Sequence, residues 1–170
     1  MKYLVLSDIH GSTINLKKVL EHETYDKILI LGDVLPHGPR NDLPLGYNPK
    51  EVISILNPLA DKIICVKGNC DAYVDQMVLE FPINDLACVD NIYMTHGHIY
   101  NPSHPLPLKE GVVLFGHTHV KENTLVGNVR YLNPGSLSIP KDGSSSYMVI
   151  MDDDFITKNV EGEVLSIWTR

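Results

Sequence analysis

Apolar residues recur along this chain in two rhythms, and the change between them divides the sequence in half. In the first half, short unbroken apolar runs alternate with amphipathic stretches. Residues 2–7 (KYLVLS), 27–32 (KILILG) and 62–67 (KIICVK) read as strands buried on both faces. Between them, residues 12–22 carry Leu16, Val19 and Leu20 on one helical face, and 49–60 open on Pro49, a favoured first helical position. A short helix is expected at 71–80. Strand, helix, strand, helix, strand predicts a parallel sheet with crossover helices.

In the second half the runs at 86–95, 111–116, 123–133, 145–151 and 155–168 read as strands joined by turns. Breaks at Gly127-Asn128 and Asp142-Gly143 predict hairpins. A parallel-rich half followed by an antiparallel-rich half points to two mixed β-sheets packed together with helices outside. Two Pro-rich loops stand out. One, 34–48, is long enough to suggest function; the other spans 101–107.

With 170 residues and no internal repeat or linker, the whole chain 1–170 is expected to form a single domain. Its 44% hydrophobic and 21% charged content is ordinary for a globular protein. No run approaches membrane-spanning length, and Cys65, Cys70 and Cys88 form no Cys-x-x-Cys pair, so a reducing cytoplasmic setting is expected. The net charge of −7 argues against stable nucleic-acid binding, which needs a basic footprint. It leaves room for a small anionic substrate, because cations inside a cleft dominate the local field.

Such cations are what the strand ends ask for. Five apolar runs each lead into potential metal ligands: Asp8 and His10, Asp33, Asn69, His96, and finally His117 and His119. Strands laid side by side bring these ends to one edge, where open α/β sheets place their ligand sites. Oxygen and imidazole donors without thiolate suit Mn²⁺, Fe, Zn²⁺ or Mg²⁺. Seven donors exceed one tetrahedral shell but suit two ions that share a carboxylate, in the manner of two-metal phosphoryl-transfer sites.

Taken in order, Asp8-Ile9-His10, Gly32-Asp33, Gly68-Asn69, His96 and Gly116-His117-Thr118-His119 resemble the motifs of the calcineurin-like metallophosphoesterase superfamily. Asn133-Pro134-Gly135-Ser136 is similar to a turn common just after them. The length and the Gly-Asn-Cys-Asp variant at 68–71 resemble its small prokaryotic phosphodiesterases. The resemblance implies an αββα sandwich and two divalent ions, foremost Mn²⁺, with Zn²⁺, Fe, Ni²⁺ and Mg²⁺ as alternatives. It assigns Asp8, His10 and His119 to one ion, Asn69, His96 and His117 to the other, and Asp33 to both. It further implies phosphoester hydrolysis by a metal-bound hydroxide, catalysed around Asp33, Asn69 and His96. A dimer or tetramer would fit the same resemblance.

The departure is Cys70, where many members carry a His that contacts the phosphoryl group. A thiol is a weaker donor and holds no stable charge, which favours diesters over monoesters. It could pack, touch substrate or act as a nucleophile; the last would call for an Arg at position 76, which is Gln. His37 and Arg40, in the loop after Asp33, are candidates for phosphate contact, and His98 is a further one. His22 and His104 lack any such context and are expected on the surface. Two other readings remain: a phosphomonoesterase of the same mechanism, and a non-catalytic interaction scaffold on the same fold.

Overall fold

The computed structural model describes residues 1–170. A seven-stranded sheet has the order β12-β11-β10-β1-β2-β3-β4, formed by β1 (Lys2–Leu6), β2 (Lys27–Ile30), β3 (Ile63–Val66), β4 (Ile83–Asn84), β10 (Ser146–Met151), β11 (Asp154–Asn159) and β12 (Val164–Thr169). A five-stranded sheet has the order β5-β6-β7-β9-β8, from β5 (Ala87–Val89), β6 (Ile92–Met94), β7 (Gly111–Leu114), β8 (Lys121–Val126) and β9 (Val129–Pro134). Both sheets mix parallel and antiparallel pairs, as the two rhythms of the sequence predict: β1-β2-β3 run parallel, whereas β10-β11-β12 are antiparallel.

The unbroken apolar runs are explained by burial on both faces. Along β1, Leu4 and Leu6 join the core beneath the helices, whereas Tyr3 and Val5 join the core between the sheets. Ile28 and Ile30 of β2 alternate with Leu29 in the same way. Helices α1 (Ile14–His22) and α2 (Pro49–Leu56) supply Leu16, Val19, Val52 and Leu56 to the outer core. On the far side, the outer face of the five-stranded sheet carries Val113, Phe115 and Tyr131. It is covered by irregular chain around Leu106, whose amide donates to the Tyr131 hydroxyl at 2.8 Å. Pro102, Pro105 and Pro107 keep that covering segment from becoming helical.

Several boundaries differ from the expected ones for local reasons. Helix α1 starts at Ile14 rather than residue 12, because Ser12 and Thr13 turn their hydroxyls to Leu45 and Gly46 of the long loop. Helix α2 gives way to a 3-10 segment at Asn57, since Pro58 cannot continue the α-helical ladder. The helix expected at 71–80 is only a 3-10 turn, Tyr73–Met77. Its apolar residues Val74 and Met77 find no core to bury, and the Asp75 carboxylate accepts the Ala72 amide in a closed local turn. The 86–95 run is a hairpin: Asp90 and Asn91 both adopt positive φ, as a type I′ turn requires.

Gly127-Asn128 does join β8 and β9 as a hairpin, but Asp142-Gly143 joins no hairpin. Strands β9 and β10 lie in different sheets, so residues 135–145 cross between layers. There the Asp142 carboxylate accepts the Lys121 amide at 2.7 Å. The 155–168 run is likewise two strands, β11 and β12. No helix is long and apolar enough to cross a membrane.

Candidate metal centre

The parallel strands deliver their carboxyl ends to one edge, and each of the turns leaving β1, β2, β3, β6 and β7 bears the donors the sequence singles out. These turns are unusually sharp. Asp8, His10, Asp33, His117 and His119 all hold a left-handed backbone, with φ between 48° and 70°. Asp, Asn and His tolerate that region better than other side chains, and outliers of this kind gather at functional sites.

Close approach of the turns depends on two glycines. A Cβ at Gly68 would stand 2.0 Å from Asp33 Oδ1, and one at Gly116 would stand 2.0 Å from Ser7 Oγ. The turn at 133–138 braces the arrangement from behind. The Ser136 and Ser138 hydroxyls both donate to the Asp8 carbonyl at 3.0 Å, and the Asn133 amide donates to the Gly116 carbonyl at 2.9 Å.

Six of the seven donors then converge, each within 3.7 Å of at least one other. His119 Nε2 lies 3.1 Å from Asp8 Oδ1, and His10 Nε2 lies 3.6 Å from the same oxygen. Asp33 Oδ2 faces both sides of the cluster, 3.7 Å from His10 Nε2 and 3.3 Å from His96 Nε2. Asn69 Oδ1 is 3.0 Å from His96 Nε2. His117 completes the group: its amide donates to Asp8 Oδ2 at 3.0 Å, and its ring centroid lies 5.2 Å from that of His96. Asp8, His10, Asp33, His96 and His119 are buried, and His117 is half-buried.

The tautomers follow from the far side of each ring. His10, His96 and His119 place Nδ1 on the carbonyls of Pro36, Leu31 and Ile139, at 2.8, 2.6 and 2.7 Å. A carbonyl only accepts, so each Nδ1 carries a proton, and each ring, when neutral, turns its Nε2 lone pair inward. His10 and His119 thus bring two such lone pairs within 3.2 Å of each other. Asp8 Oδ1 faces them, buried and without a hydrogen-bond partner. Acceptors gathered in this way need positive charge between them.

In the metal-free protein protons answer that need. Burial opposes the charge on Asp8, but the imidazoles of His10 and His119 and the nearby His96 outweigh it and hold the carboxyl well below the usual range. Burial likewise depresses His96, yet Asp33 and Asp8 overcome it and push its pKa up to about 9. The donor set fits divalent cations: hard oxygens and imidazoles, an orphan carboxylate oxygen, and ring orientations fixed from outside.

A cleft of about 700 Å³ opens over this cluster, lined among others by Asn69, Cys70, Arg40, His117, Thr118 and Lys141. Burial and the Asp33 carboxylate push the Cys70 thiol up to about 12, so it stays protonated at neutral pH. Arg40 lines the cleft, whereas His37 is not among its lining residues. Its ring packs edge-on against Tyr47 at 5.3 Å, because the returning limb of the loop is tied to Gly11 by the Asn48 amide. His98 stands to the other side, 5.4 Å from the His96 ring. His22 and His104 are exposed.

Two residues of this region escaped the sequence reading. Lys141 reaches the cleft on the inter-sheet crossing, which no motif marks. Asp71 is buried and accepts the amides of Asp33, Val34 and Gly68 at 2.7–2.8 Å, fastening the second and third turns together. Its only signal was its place in the Gly-Asn-Cys-Asp run.

Two packed mixed sheets with an oxygen-and-imidazole donor cluster at their shared edge define a metal-dependent phosphoesterase class. The model of the calcineurin-like phosphoesterase superfamily domain matches residues 1–154, and the chain belongs to that superfamily. It is 42% identical over 166 residues to phosphodiesterase YfcE of Escherichia coli strain K12, covering 92% of this chain and 90% of that protein. The solved structure of E. coli YfcE, described as a phosphoesterase, superposes with a TM-score of 0.94 at 39% identity, covering 99% of both chains. A zinc complex of Vps29 from Entamoeba histolytica shares the fold at a TM-score of 0.61 and 22% identity, covering 99% of each chain.

Proposed function

We propose that this chain is a phosphodiesterase that works with two divalent cations, Mn²⁺ foremost, on a small phosphoester. One observation carries the reading: Asp8 Oδ1 is buried and unpartnered against the inward Nε2 atoms of His10 and His119. Asp8, His10 and His119 would hold one ion and Asn69, His96 and His117 the other, with Asp33 available to both. Supporting that division, Asp33 Oδ2 lies within 3.7 Å of His10 Nε2 on one side and within 3.3 Å of His96 Nε2 on the other. Two such cations, when bound, neutralise phosphoryl oxygens and lower the pKa of water towards neutrality.

The protein's own groups do the rest. The carbonyls of Pro36, Leu31 and Ile139 hold three imidazoles in the ligating tautomer. Arg40 and Lys141 give the cleft a cationic wall that draws a phosphoester anion. Cys70 lines the cleft where many members of the superfamily carry a His, and a thiol is a weaker hydrogen-bond donor than an imidazolium. That supports diesters over monoesters, in line with the name of the E. coli relative. A single domain over 1–170 is supported by the pairing of the last strands with β1 in one sheet.

The test is to load the chain with Mn²⁺, count bound metal, and measure an aryl phosphodiester and an aryl phosphomonoester side by side. Asp33→Asn keeps the left-handed backbone and removes the shared charge. We expect about two ions per chain in the native protein, with faster diester than monoester turnover. We expect loss of activity and of bound metal in the variant. Undiminished diester hydrolysis by chelator-treated Asp33→Asn would refute the reading.

A further inference from the structure

A second cleft, of about 690 Å³, also has Asn69 in its wall. Asn69 lines both clefts and is itself exposed, so the two meet at this residue. The two differ in chemistry. The first presents Arg40 and Lys141 beside the donor cluster. The second is lined by Lys67, Asp71, Asp85, Thr95 and His98 as polar groups and by Leu86, Ile99 and Tyr100 as its apolar wall. Leu86 is 45% and Ile99 59% exposed, apolar side chains left uncovered at the mouth of a polar centre. His98 joins this cleft to the cluster, with ring centroids 5.4 Å from His96 and 6.1 Å from His117.

A phosphomonoester has one organic arm and would leave one of these clefts empty. A phosphodiester has two arms on a single phosphorus, and two clefts that share Asn69 offer one wall to each. We propose that the second cleft is the subsite for an uncharged organic arm of the diester, an aryl or similarly apolar group, with Leu86, Ile99 and Tyr100 as its specificity-determining residues. The inference rests on the phosphodiesterase reading above and adds the chemical class of one arm. The wall residues come from three separate stretches: 67–71 after β3, 85–86 before β5, and 95–100 after β6. The subsite is therefore built by the same strand ends that carry Asn69 and His96, and its distance from the reacting centre is fixed by the fold.

Two phosphinates that cannot be hydrolysed separate the subsite from the chemistry. Diphenylphosphinate carries two apolar arms on one anionic centre, and dimethylphosphinate carries almost none. Calorimetry on the Mn²⁺-loaded full chain should show the diphenyl compound binding about tenfold tighter, since a buried ring removes apolar surface from water. Leu86→Ser and Ile99→Ser, both at exposed positions, should erase most of that preference and leave dimethylphosphinate affinity unchanged; Tyr100→Ala should act in the same direction. No phenyl preference in the native chain, a preference that survives all three variants, or equal weakening of both compounds overturns the subsite. Hydrolysis of a diaryl phosphate is read separately. A chain that binds diphenylphosphinate through this cleft but hydrolyses no diester keeps the subsite and loses the enzymatic reading.

Discussion

Replacing Gly68 with alanine adds one methyl group, and the structure fixes what that group meets. Gly68 does not have positive φ, so the substitution brings no backbone strain of its own. The cost is steric. The new Cβ would lie 2.0 Å from Asp33 Oδ1 and 2.5 Å from the Asp33 amide, whereas ordinary contact begins at 3.4 Å. Relief needs a separation of about 1.4 Å (3.4 minus 2.0) between Asp33 and the third turn. Asp33 cannot yield freely: its amide donates to Asp71, its carbonyl accepts from the His10 amide, and Oδ1 accepts from the Cys70 amide.

A displacement near 1 Å in a reacting constellation costs roughly a hundredfold in rate, and overpacking costs about 1–3 kcal/mol in stability. We therefore expect Gly68→Ala to lower diester turnover about a hundredfold and to weaken metal retention, with melting lowered by several degrees. The assays are steady-state hydrolysis, metal content after dialysis and thermal unfolding. Gly127→Ala is the control, at φ +60° with nothing within 4 Å of the new carbon. It should lose about 1–2 kcal/mol through strain and keep full activity. Activity within threefold of native in Gly68→Ala, with metal retained, would refute the packing argument.

Asp71→Asn puts an amide donor among three backbone donors and should cost on the order of 2–4 kcal/mol in urea unfolding, with activity falling alongside. Cys70→Ser should keep diester turnover within about threefold, because a serine hydroxyl replaces the thiol at the cleft wall with a hydrogen-bond donor of similar size; kinetics decide it. His96 sets a pH dependence. Its folded pKa of about 9 lies above the unfolded value of about 6.5, so its stabilising effect is fully present below pH 6.5 and lost as pH rises to about 9. Unfolding of the chelated protein should show that loss. Mn²⁺ binding at pH 7 should release at least about one proton per chain, measured by calorimetry in buffers of different ionisation heat.

The donors were legible because each follows an apolar run, and run plus polar terminus is a one-dimensional signal. The paired sheets were legible because period-two burial on both faces leaves runs such as YLVL without polar interruption. What escaped depends on contacts distant in sequence. Val74, Met77 and Phe81 carry a helix-like spacing, yet only Phe81 reaches the core, and an aspartate closes the segment as a turn. Asp142-Gly143 carries a hairpin dipeptide, but its flanking strands belong to different sheets. Lys141 reaches the cleft only through that crossing, and His37, outside the cleft lining, packs edge-on against Tyr47. Asp71 is an acceptor for three amides that no local pattern brings together.

The left-handed ligands bear on how this site can be dismantled. At Asp8, His10, Asp33, His117 and His119 the side chain is chosen twice, once for the cation and once for the bend of the chain. Alanine fails both tests, and at about 1–2 kcal/mol per left-handed residue five such changes approach the whole stability of a typical domain. Asparagine passes the second and, although its amide oxygen can ligate as that of Asn69 would, gives up the carboxylate charge or the imidazole nitrogen that the first asks for. A knockout series built on alanine would mix lost chemistry with lost folding, whereas one built on asparagine would separate them. Gene duplicates that abandon catalysis but keep the fold have the same narrow exit, and asparagine at these five positions would mark a chain that had taken it.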